Sequence, residues 1–211
     1  MRRNLGSILE TSSQRARWSA AIIAAVGWLG LAVQFEASFL RVGSVAGTAW
    51  GMLRFFTIIA NLSSAILFTG VAWRPTAFLR PFAVGGAAAC MLLVGITYAI
   101  LLRGLIPLSG GAKLADFLLH TATPILVPLF WLLFVPRGRL RWRDPSLWAI
   151  LPLLYLPYAL VRGMAEGHYA YPFIDLARIG WTAVALNAMG LAIAFLSVGL
   201  AMVALDRRLV R

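Results

Sequence analysis

The chain has 211 residues, of which 61% are hydrophobic and 12% charged, with a mean hydropathy of +0.85. A soluble domain is nearer half apolar and a quarter charged, so a soluble globular fold is excluded. The formal net charge is +12, but the basic residues sit in short clusters between apolar runs, a topology signal that argues against a nucleic-acid partner.

The polar segment 1–17 holds Arg2, Arg3, Arg15 and Arg17. It lacks the apolar core and small-residue cleavage site of a signal peptide and is expected to be a cytoplasmic N-terminal segment. A membrane domain is expected over 18–205. Six of its runs are long enough for the about 20 helical residues that cross a bilayer. They are Trp18–Phe35, Gly51–Trp73, Phe82–Leu102, Leu114–Phe134, Pro145–Arg162 and Arg178–Leu205. Pro124 and Pro128 interrupt the fourth run and Pro152 and Pro157 the fifth, since proline removes a backbone donor. Gly85 and Gly86 in the third suit a close helix contact. Residues 206–211 form a basic tail. The expected fold is all-α, a polytopic membrane protein with six transmembrane helices.

Arginine sets the orientation. One side collects the N-terminal arginines, Arg74 and Arg80, the run Arg137, Arg139, Arg141 and Arg143, and the tail. The other side has fewer basic residues, mixed with Glu36, Asp116, Glu166 and Asp175. The positive-inside rule then makes both termini cytoplasmic. Cys90, the single cysteine, excludes a disulfide framework or a Cys-based metal site within one chain. No metal or cofactor is expected.

Polar residues recur at helical spacing inside these runs. The second has Arg54, Thr57, Asn61 and Ser64; the fourth has Lys113, Asp116, His120 and Thr123; the fifth has Tyr155, Tyr158 and Arg162; the sixth has Arg178 and Thr182, with Asn187 deeper. An ionisable side chain at membrane depth is expensive and marks a functional site by default, which singles out His120. Thr57 and His120 lie at equal depth in their runs, so they meet if the second and fourth spans are neighbours. Asp116, one turn from His120, is placed to orient its ring. Asn61, one turn from Thr57, is placed to stabilise an oxyanion. A hydroxyl, a base and an orienting group are the parts of acyl-transfer catalysis. The same Thr and Asn residues also suit interhelical glue. His168 lies in a loop, where a surface role is expected.

Three segments, Arg54 to Leu62, His120 to Pro124 and Tyr171-Pro172-Phe173, together resemble the family of androgen-induced and androgen-dependent membrane proteins and their small bacterial six-helix relatives. The resemblance implies a multipass hydrolase of fatty acid esters of hydroxy fatty acids in a bacterial inner (cytoplasmic) membrane. Thr57 would be the nucleophile, with Ser63 or Ser64 in reserve, and His120 the base. Asn61 or Arg54 would stabilise the oxyanion. The substrate would be a lipid within the bilayer, its chain against Phe55 and Ile58. Tyr155, Tyr158, Arg162 and Arg178 would complete the binding site near the interface. The alternative is a lipid or small-molecule transporter or binding protein without hydrolytic activity, which broken helices around a polar midplane would suit.

Overall fold

Apolar runs of this length satisfy their backbone within themselves only as helices, and helices are what form. The computed structural model describes the backbone of residues 2–210 and the side chains of 13–210, and no strand occurs among them. The side chains of Arg2 and Arg3, and all of Arg211, lie outside the described residues.

In chain order the elements are α1 (Arg2–Val42), α2 (Val45–Met52), α3 (Phe56–Trp73), α4 (Pro75–Phe78) and α5 (Pro81–Thr97), which continues as a π turn over Tyr98–Leu102. Next come α6 (Gly110–Phe117), a π turn over Leu118–Ala122 and α7 (Thr123–Phe134). The chain ends with α8 (Asp144–Trp148), α9 (Ile150–Glu166), a 3-10 turn (Pro172–Ile174) and α10 (Leu176–Arg208). Six helical stretches are long and apolar enough to cross a membrane: Ser13–Val42, Phe56–Trp73, Pro81–Leu102, Gly110–Phe134, Asp144–Glu166 and Leu176–Arg208. The protein is therefore an all-helical, multipass membrane protein.

Small residues let the spans approach. Gly27 of the first lies against Ala65 of the second, where a Cβ would stand 3.3 Å from the Ala65 Cβ. Gly95 of the third meets Pro124 of the fourth. Between the second and fourth, Phe68 and Phe130 pack edge to face with centroids 4.9 Å apart, near Val84, Met91 and Val127, which are wholly buried. At the end of the bundle that carries the arginine-rich loop, Asp206 is completely buried. Its Oδ2 accepts from Leu140 N at 3.0 Å and its carbonyl from Gly138 N at 3.3 Å, which ties that loop to α10.

The Gly85–Gly86 pair receives the indole of Trp148, whose Nε1 donates to Phe82 O at 3.0 Å. A Cβ on Gly86 would stand 2.7 Å from Trp148 Cδ1, whereas Gly190 has nothing within 4 Å. Overpacking of this kind costs about 1–3 kcal/mol. Gly86→Ala is therefore expected to lower the thermal midpoint in detergent, while Gly190→Ala leaves it unchanged or raises it. Equal midpoints would mean that the indole gives way freely.

The second span departs from the sequence expectation. The run beginning at Gly51 is not one helix: α2 stops at Met52 and α3 starts at Phe56. The orphan carbonyls at the break are satisfied by tyrosines of α9. Tyr155 Oη donates to Arg54 O at 2.7 Å and Tyr158 Oη to Leu53 O at 3.2 Å. Polar backbone at membrane depth persists only with such partners.

Candidate functional site

The break puts Thr57 in the first turn of α3 rather than in mid-helix, and the first amides of a helix have no helical acceptor. Thr57 N donates instead to Tyr171 Oη at 3.4 Å. Thr57 is 6% exposed. Ser63 and Thr69 of the same helix donate their hydroxyls to carbonyls one turn back, Ile59 O at 2.8 Å and Ala65 O at 2.7 Å. Among the described residues, no such bond ties the Thr57 hydroxyl to its own helix. Thr57 instead lines an apolar cavity of about 140 Å³, with Phe56, Tyr155, Tyr171, Phe173 and Phe195 among its walls. Tyr171 and Tyr155 line this cavity together with the Thr57 side chain. Burial pushes the Tyr171 phenol above the ordinary tyrosine range, so it stays protonated at neutral pH.

His120 stands in the π turn between α6 and α7. Proline explains the widening. Pro124 has no N–H to give His120 O, and the next ring closes over one residue more, from Thr123 N to Leu118 O. Such π turns are frequent at functional sites. His120 Nδ1 lies 3.0 Å from Asp116 Oδ1, and both side chains are 21% exposed. The other carboxylate oxygen accepts from Tyr98 Oη at 2.5 Å. Tyr98 opens the second π turn, after α5, and its ring stacks on the imidazole with centroids 4.4 Å apart and planes 19° apart. One carboxylate thus holds both a ring nitrogen of His120 and the phenol that covers the ring. Asp116 was expected from its spacing; Tyr98, on another span, was not.

Asn61 joins the two helices. Its Nδ2 donates to Thr57 O at 2.9 Å and Leu119 O at 3.1 Å, and its Oδ1 accepts from Thr123 Oγ1 at 2.5 Å. The second and fourth spans are therefore neighbours. One amide nitrogen of Asn61 thus bridges the carbonyl of Thr57 and that of Leu119, the residue before His120. Among the described residues no hydrogen bond joins Thr57 to His120, and His120 is not among the residues that line the cavity.

No family model, curated protein or solved structure matches this chain.

The remaining candidate residues fall into three groups. Arg54 and Arg162 share Glu166. Arg54 is ion-paired with Oε2, while Arg162 Nε donates to Oε1 at 2.8 Å. Trp50 Nε1 also donates to Oε1 at 2.8 Å, and its ring lies 4.0 Å from the Arg162 guanidinium. Tyr158 accepts from Arg162 Nη1 at 2.8 Å. This cluster locks the start of α3 to the end of α9. Asn187 Nδ2 donates to Phe173 O at 2.9 Å, holding the 3-10 turn against α10, and Arg178 is exposed, with its amide on Asp175. Finally, Ile58 is buried with Leu31, Met52, Ala65 and Leu119, away from the cavity, Phe55 is exposed, and Ser64 is buried.

Proposed function

We propose that the protein is an intramembrane hydrolase of lipid esters, with fatty acid esters of hydroxy fatty acids as the substrate class. The observation that carries this reading is Thr57: a buried threonine, with no hydrogen bond to its own helix, in the wall of an apolar cavity. The carboxylate-held imidazole on the neighbouring span supports it, as does the sequence resemblance to the androgen-induced membrane proteins.

His120, directly or through one water, takes the Thr57 proton, and Thr57 Oγ attacks the ester carbonyl. The tetrahedral intermediate collapses, the hydroxy-acid oxygen leaves with the proton from His120, and the acyl group stays on Thr57. Water deprotonated by His120 then attacks the acyl-threonine. The fatty acid is released and the Thr57 hydroxyl restored. Asp116 holds the ring by Nδ1, which leaves Nε2 for the proton transfers. The acyl chain lies along the apolar walls near Phe195. The positive-inside rule applied to the basic clusters supports cytoplasmic termini, with the Arg54 end of the bundle toward the outer leaflet of a bacterial inner membrane.

A second reading is lipid binding or transport without hydrolysis. It is favoured by a cavity lining that includes Thr57 and not His120. The two are separated by incubating purified protein with a branched fatty acyl ester and, in parallel, with proteoliposomes loaded with the same ester. Release of free fatty acid together with labelling by a fluorophosphonate probe supports hydrolysis. Ester flux without product contradicts it.

A further inference from the structure

The mechanism above leaves the developing oxyanion without a donor. The residues the sequence offered for that task are engaged: Asn61 bonds Thr57 O, Leu119 O and Thr123, and Arg54 is paired with Glu166. Two other donors converge on Thr57 itself. Its own N–H, free of helical partners, points at Tyr171 Oη. The Tyr171 phenol, 3.4 Å from that N–H, lines the same cavity as the Thr57 side chain. Tyr155 gives its proton to Arg54 O, so its oxygen is left as an acceptor beside Tyr171.

We propose that Tyr171 is a catalytic residue that, with the Thr57 amide, binds the oxyanion; this rests on the hydrolase reading. At rest the N–H rests on the phenol oxygen at 3.4 Å, longer than the usual 2.7–3.2 Å of such bonds and cheap to give up. As Thr57 Oγ bonds to the carbonyl carbon, the carbonyl oxygen takes the electron pair and enters between the two groups. The phenol O–H turns toward it, and the amide N–H exchanges the phenol oxygen for it. A nucleophile's own amide serves serine enzymes in this way. The 18-residue α3 adds the positive end of its dipole at the same point.

The ring of Tyr171 is held independently of its oxygen. It stacks on Phe173, centroids 5.1 Å apart, and meets Phe55 edge on at 5.9 Å. Tyr171→Phe therefore removes the donor and keeps the packing. Loss of an oxyanion donor lowers kcat by about 10²–10³-fold, and that is the fall expected here, with KM nearly unchanged. A trifluoromethyl ketone analogue, which forms the tetrahedral adduct, should lose affinity by a similar factor. An unreactive ether analogue of the ester should bind the variant as it binds the wild type. Unchanged kcat, or parallel loss of ketone and ether affinity, overturns the assignment while leaving the hydrolase reading intact. Absence of turnover in the wild-type protein overturns both.

Discussion

Thr57→Ala is expected to abolish ester turnover while leaving the protein folded. Removing the nucleophile of a covalent mechanism costs on the order of 10⁴-fold or more in kcat. The fold has little stake in this hydroxyl. The main-chain N–H and C=O of Thr57, which bond Tyr171 and Asn61, survive the substitution. The thermal midpoint should therefore move little, and free fatty acid release should fall to background. Thr57→Ser gives the sharper comparison, because it keeps the oxygen and should keep part of the turnover. A Thr57→Ala protein with wild-type turnover would place the reaction elsewhere. Ser63 is a poor substitute nucleophile, since its side chain is exposed and its hydroxyl bonds Ile59 O.

His120→Ala is expected to cost a comparable factor, on the order of 10⁴, because every proton transfer in the cycle passes through the ring. In the wild type, activity should fall on the acid side as the imidazole protonates, since the base must begin neutral. Asp116→Asn should retain substrate binding and lose most of kcat, as the held tautomer and the stabilising charge disappear together. The chain has 2 histidines, and His168 is on an exposed loop with its Nδ1 2.8 Å from Glu166 O. His168→Gln should leave the acid limb of the pH profile in place. An acid limb that vanishes with His168 would reassign the base.

Much of the architecture can be read from the sequence, because hydropathy alone marks six runs that match the six spanning helices. The Asp116–His120 contact is equally legible, since i,i+4 spacing on a helix fixes it whatever surrounds it. What escapes the sequence is set by partners far along the chain. Nothing in Leu53-Arg54-Phe55 signals a helix break. The break is made tolerable by Tyr155 and Tyr158, about 100 residues later, and it moves Thr57 to a helix start. Tyr98 and Tyr171 reach His120 and Thr57 across the bundle, and no local spacing predicts those meetings. Asn61 shows the converse. Its position one turn from Thr57 suggested oxyanion chemistry, but Leu119 and Thr123 take up its amide and make it a joint between helices.

The central claim is that the Thr57 oxygen becomes acylated, and the most direct measurement is the site of covalent modification. Purified protein treated with a fluorophosphonate should be digested and the modified peptide sequenced by mass spectrometry. A single adduct on Thr57, lost in Thr57→Ala and strongly slowed in His120→Ala, is the predicted result. An adduct on another residue, or none in a protein that hydrolyses the ester, would contradict the account.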